Sequence, residues 1–235
     1  MLIKCNRVLM VTAAAAVVLP VAACGSSQPA AKIDAGASGS SAATSASPSA
    51  SASSAAPTAS SSSATAANGL PDLTLPSDVT LQFNLPKTGD AVKDAALQGL
   101  VQVEQAQFKA TELGVTTGPI VDDFYIQDAG FSVRQFLSYM QGKGETVTGT
   151  NVYYNWKFPE VDPGGKSIQI TYCEDQNKLF AKNRTTGQTV PQQSGQAQFY
   201  SYKVDMLVDK KDGRWKAAYY AWKEGDAACQ AAEGH

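Results

Sequence analysis

Two adjacent carboxylate pairs, Asp122-Asp123 and Glu174-Asp175, are the groups in this chain with the makings of an acid-base or metal site. Such chemistry needs carboxylates that converge on one proton or one cation. Adjacent residues on a strand point to opposite faces, so neither pair converges through sequence position alone. An acid near a strand end serves most often in a turn or a cap. The only histidine is His235, the last residue, and the cysteines are Cys5, Cys24, Cys173 and Cys229. A Ser-His-Asp or Cys-His nucleophile system would depend on that terminal imidazole, and two cysteines with one terminal histidine do not make a zinc site. Neither an enzyme of those classes nor a cofactor is expected. Gly165-Lys166-Ser167 has the ending of a phosphate-binding loop, but the glycine required five positions before Gly165 is Glu160. The residues from Ser167 onward alternate like a strand, so no helix N-terminus would face a phosphate.

The cysteines gain meaning from the start of the chain. Lys4 and Arg7 precede an apolar, uncharged run from Val8 to Val21. That run is short of the roughly 20 residues that span a bilayer as a helix, and it reads as a cleavable export signal over residues 1–23. Val21-Ala22-Ala23-Cys24 resembles the bacterial lipobox. The resemblance implies cleavage before Cys24, diacylglycerol on its thiol, and a place on the extracytoplasmic face of the cell membrane. Two acyl chains hold a protein there stably where one is marginal, each buried methylene contributing about 0.8 kcal/mol. Ordinary signal cleavage with free secretion is the alternative.

Residues 24–68 are almost wholly Ser, Ala, Gly, Thr and Pro, with Lys32 and Asp34 their only charges. A segment of this kind cannot bury enough apolar area to offset the entropy of ordering it. It is expected to be a flexible tether with a reach of roughly 35–40 Å. Residues 69–235 are left for one folded domain. Loss of Lys4 and Arg7 leaves 17 basic against 21 acidic residues, so overall charge makes no case for nucleic acid as a partner. Outside the cytoplasm, Cys173 and Cys229 read as a disulfide closing a loop of roughly 56 residues, worth about 4 kcal/mol by chain entropy. A nucleophilic thiol and a metal ligand set are the alternatives.

The elements that must position these groups fall in two halves. Val79–Phe83 alternates as a short strand, and Asp90 stands before a helical stretch over Ala91–Leu113 that Gly114 ends. Pro119–Ile126 is expected to be a helical turn. Ser132-x-x-Gln135 forms a capping box for a helix to Gln141, with Val133, Phe136, Leu137 and Met140 on one face. Beyond Gly144 the period becomes two. Thr146–Phe158 places Val152, Tyr154, Trp156 and Phe158 on one side, and Ser167–Glu174 places Ile168, Ile170 and Tyr172 together. A small hairpin is expected over Leu179–Asn183 and Gln188–Val190. Gln196–Asp209 groups Tyr200, Tyr202, Val204, Met206 and Val208, and Arg214–Lys223 groups Trp215, Ala217, Tyr219 and Ala221. Helices first and antiparallel strands after predict an α+β domain with the helices gathered on one sheet face.

This order of elements resembles the nuclear transport factor two superfamily, the SnoaL-like or cystatin-like cones, in which helices lie in the mouth of a strongly curved antiparallel sheet. Leu75-Pro-Ser-Asp-Val79, Gly149-Thr-Asn-Val-Tyr-Tyr154, Thr171-Tyr-Cys-Glu-Asp-Gln176, Trp215-Lys216 and a final Cys229 resemble a group of actinobacterial surface lipoproteins. That resemblance implies the cone and the disulfide, and no activity. Relatives in the superfamily that isomerise or cyclise small molecules use an Asp base beside Tyr donors. Tyr154, Tyr172, Tyr202 and Tyr219 are therefore the candidate pocket lining, with Asp123 or Asp175 at its rim, although buried tyrosines usually only pack. The first expectation is a non-catalytic binding module for a small apolar ligand or an envelope protein. An assembly lipoprotein of the envelope without a ligand comes second, and a SnoaL-like isomerase or cyclase third. A homodimer through the sheet is a further expectation.

Overall fold

A computed structural model describes residues 69–232. The signal, Cys24, the tether and His235 lie outside the described residues. Five strands form one sheet in the order β1-β2-β3-β4-β5. They are β1 (Val79–Phe83), β2 (Glu145–Val161), β3 (Ser167–Asn183), β4 (Phe199–Val208) and β5 (Trp215–Glu224). β1 runs parallel to β2, and the other neighbours are antiparallel. Helices α1 (Ala91–Leu113), α2 (Pro119–Asp122) and α3 (Gln127–Lys143) come between β1 and β2, and α4 (Ala227–Ala231) follows β5. The domain is α+β, with the first three helices supplying one side of the core, as the order of periodicities predicts.

α1 begins where Asp90 accepts from the amides of Val92 and Lys93, at 2.9 and 3.2 Å. It ends at Gly114, whose φ of 69° is the left-handed conformation that closes a helix. Its inner face carries Ala96, Leu100, Val103 and Ala110, all fully buried. Gly99 lets the helix cross β5 closely, since a Cβ there would stand 2.5 Å from the Cβ of Trp215.

α3 starts at Gln127, five residues before the expected cap at Ser132. Tertiary pairing outweighs the capping box. The Ile126 amide donates to the Ala217 carbonyl of β5 at 2.9 Å, and Tyr125 bridges the same residue, so the chain is already held where the helix must begin. The buried face of α3 is Ala129, Val133, Leu137 and Met140, while Phe136 stands 39% exposed on the other side. The small hairpin expected over Leu179–Asn183 and Gln188–Val190 forms on the end of a longer strand. β3 runs unbroken to Asn183, pairing with β2 from Glu145 onward. The returning chain bridges Lys182 through Thr189, with the Asn183 amide donating to the Gln188 carbonyl at 2.9 Å and the Val190 amide to the Ala181 carbonyl at 2.7 Å.

Two irregularities decide which side chains face the helices. β2 shifts register between Tyr154 and Lys157, around Asn155, whose φ is 57°. Before the bulge Asn151 and Tyr153 point inward; after it Trp156 and Phe158 do. β5 shifts between its partners of Asp205 and Met206, so Ala217 points inward and Tyr220 takes the next inward place. An extra residue changes the face of every side chain beyond it, and the bulges also bend the strands.

Candidate functional site

The inner face carries a buried carboxylate that no adjacent pair announced. Glu104 projects from the middle of α1 and is 2% exposed. Its Oε1 accepts from the hydroxyls of Tyr172 at 2.6 Å and Tyr220 at 2.5 Å, and its Oε2 from Tyr153 at 3.3 Å. The Tyr172 and Tyr220 hydroxyls are 2.8 Å apart. Glu174, also buried, accepts from the side-chain amides of Asn151 and, at 2.9 Å, Gln176. Burial and the neighbouring Glu174 carboxylate push Glu104 up to about 7, against the hydrogen bonds from its three tyrosines. Burial likewise raises Glu174, against the donors around it. The hydroxyls of Tyr153, Tyr172, Tyr202 and Tyr220 stay protonated because burial and these carboxylates both oppose a phenolate.

Rings fill the space around this acid. Phe83 stacks on Tyr153 at 4.6 Å between centroids, Trp156 on Tyr172 at 4.8 Å, and Tyr172 on Tyr202 at 5.1 Å. A general base must come within hydrogen-bond reach of the proton it removes. Here the reach of Glu104 is taken up by the protein's own hydroxyls. Glu104 is thus a satisfied acid within an aromatic core, while the buried Asn151 Oδ1 and Trp156 Nε1 beside it have no hydrogen-bond partner among the described residues.

An open space lies behind the sheet. A groove of about 380 Å³ runs over its outer face against α4. Its floor is the outward set of side chains: Lys157 of β2, Thr171 and Cys173 of β3, Ser201 and Lys203 of β4, and Ala221 and Lys223 of β5. α4 is fastened over one end by the Cys173–Cys229 disulfide, with Cα atoms 5.4 Å apart. The Tyr154 hydroxyl donates to the Cys229 carbonyl at 2.7 Å. Asp226 starts α4, accepting from the Ala228 amide at 2.9 Å and from the Ser201 hydroxyl at 2.7 Å.

The expected pocket residues are divided between these two places. Tyr172 and Tyr202 lie inside the network. Tyr154 is buried on the other face, with Cys173 and Cys229. Tyr219 is 39% exposed on that outer face beneath the ammonium of Lys203. The one-residue shifts at the bulges put Tyr153 and Tyr220 in the inward places that unbroken alternation assigns to Tyr154 and Tyr219. Asp123 pairs with Arg214 at 3.4 Å, near the end of β4. Asp175 sits opposite Phe199 at its start and accepts from the Asn177 amide at 2.8 Å. The two acids therefore lie at opposite ends of the sheet and share no site. Glu104 escapes a reading by adjacent pairs, although it carries a signal: it lies four residues after Leu100 and four before Phe108, on the ridge α1 buries. No group of acids, cysteines or histidines among the described residues could hold a metal ion.

No family model matches this sequence, and no curated protein matches it. Solved structures align at low identity. The intermembrane-space region of the chloroplast protein ARC6 is 11% identical, covering 59% of this chain and 99% of that one with a TM-score of 0.37. A candidate aromatic ring hydroxylase from Novosphingobium aromaticivorans is 12% identical over 56% of this chain and 90% of its own, with a TM-score of 0.37. A candidate ketosteroid isomerase from Shewanella frigidimarina is 14% identical over 57% and 98%, with a TM-score of 0.29. Likeness at this level carries no functional argument.

Proposed function

We propose that this chain is a non-catalytic binding module, held on the extracytoplasmic face of the membrane by lipid on Cys24, with its ligand site in the groove behind the sheet. The observation that carries the reading is the contrast between the two faces. The inner face, where relatives of the cone type would place a ligand, is filled by stacked rings around Glu104. The outer face keeps a groove of about 380 Å³, within the range of small-molecule sites, with the disulfide fixing its α4 wall. The groove sets lysine, threonine and serine side chains beside Cys173, Ala221, Trp222 and Ala228, so it offers a small ligand both polar and apolar contacts.

Native mass spectrometry of the full chain, made with its export signal, tests the reading. A ligand carried by the groove appears as a reproducible added mass, lost on denaturation and absent from Ala221→Trp, which fills the floor. An added mass that Ala221→Trp retains would place the ligand elsewhere and sink the reading.

The isomerase or cyclase reading rests on Glu104 alone, a carboxyl near 7 beside tyrosine hydroxyls, the combination that marks many acid-base sites. It would require the Tyr153, Tyr172 and Tyr220 hydroxyls to give way to a substrate.

A further inference from the structure

The outer groove has a charge that the chain as a whole does not. Lys157, Thr171 and Lys203 lie in one cross-strand row, since Lys157 pairs with Thr171 and Thr171 with Lys203. Two strand spacings separate the lysines, about 10 Å. Lys223 stands in the next row, opposite Ser201. Among the described residues Lys157 has no carboxylate within ion-pair distance. Lys203 has only the Tyr219 ring, 5.6 Å from its ammonium. Lys223 meets Asp226 at 3.5 Å, and Asp226 is the only acid lining the groove. Asp205, beyond Lys203 on the same face, is held by the Gln169 amide at 2.9 Å. Three ammonium groups thus line the groove with one carboxylate, Asp226, while Asp205 and Glu160 stand one row beyond them, in a protein that is acidic overall. Like charges gathered at one place cost free energy unless an opposite charge joins them.

Resting on the reading of the groove as the ligand site, we propose that it binds an extended phosphate-bearing anion, with Lys157 and Lys203 each meeting one anionic group and the Thr171 hydroxyl donating between them. Lysines bind phosphate as point charges and need no planar fork, which fits a groove without arginine. An acidic peptide fits less well. β3 and β4, under the middle of the groove, are already paired on both sides, so a peptide lying over them would find no ladder to join there. A phosphate chain has no such requirement. The row of lysines also opposes pairing of this face with a second copy, because a two-fold contact would bring the rows together.

Calorimetric titration of the full chain in neutral detergent, with short-chain inorganic polyphosphate as the probe, tests the assignment. The expected result is saturable binding that weakens as salt rises. Lys157→Gln and Lys203→Gln each weaken it roughly tenfold, the loss of one charge-assisted hydrogen bond. Lys210→Gln, which removes the same charge from a turn outside the groove, leaves it unchanged. Unaltered melting temperatures show that the variants fold. Equal weakening by all three variants would mean that only bulk charge matters and would overturn the site. Preference for poly-glutamate over polyphosphate would overturn the phosphate assignment. Competition by a water-soluble, short-chain phosphatidylglycerol that outdoes polyphosphate would assign the same phosphate chemistry to a lipid headgroup. A wild-type chain that ignores polyphosphate, yet carries a neutral added mass that Ala221→Trp abolishes, overturns this inference and leaves the groove as the ligand site.

Discussion

The hydroxyl of Tyr172 on β3 meets the carboxylate of Glu104 on α1 at 2.6 Å, across 68 residues of chain. That contact ties the helical half of the domain to its sheet half through a buried acid. It also makes the stability of the fold depend on pH in an unusual direction.

Burial raises Glu104 from its ordinary 4.5 to about 7, so the folded state holds this proton more tightly than the unfolded chain does. Its contribution is complete below about pH 4.5 and is lost as pH rises through 7, amounting to about 3 kcal/mol. Raised Glu174 acts in the same sense. Asp78, lowered by hydrogen bonds from Lys182 and Thr148, and Asp226, lowered chiefly by the Ser201 hydroxyl, act in the opposite sense and lose their contribution as pH falls. The melting temperature should therefore fall between pH 5.5 and 8, and Glu104→Gln should flatten that slope. Identical slopes for the two proteins would show that Glu104 is charged throughout.

Reduction of Cys173–Cys229 should destabilise the domain by about 4 kcal/mol through loop entropy and free α4 from the sheet. The double variant Cys173→Ser/Cys229→Ser reproduces this without reductant. Thermal melting measures the first effect, and limited proteolysis after β5 the second. A domain whose melting temperature ignores dithiothreitol would rule out a stabilising bridge.

Asn155 adopts a left-handed conformation that asparagine tolerates and β-branched residues resist. Asn155→Val should cost about 1–2 kcal/mol in urea denaturation, and Asn155→Gly close to nothing. Equal effects would mean that the bulge does not depend on this conformation.

Lipidation of Cys24 predicts that the exported chain partitions into the detergent phase and that Cys24→Ser moves to the aqueous phase. Recovery of both proteins in the aqueous phase would remove the anchor from the proposed function.

Much of this protein is legible in its residues because the signals are local. Asp90 and Gly114 bound α1, the change of period after Gly144 separates helices from strands, and two cysteines behind an expected export signal point to a bridge. The inward faces of β2 and β5 are legible only in part. Strict alternation assigns Tyr154 and Tyr219 inward, and one extra residue in each strand hands those places to Tyr153 and Tyr220. A bulge depends on the register of the partner strand, which the alternation of a single strand does not contain. Only tertiary structure also decided that Glu104 would be buried, because a lone acid on a helix commits to the core only when donors from other elements meet it. Tyr153, Tyr172 and Tyr220 come from three different strands, and nothing short of the folded sheet brings their hydroxyls to one carboxylate.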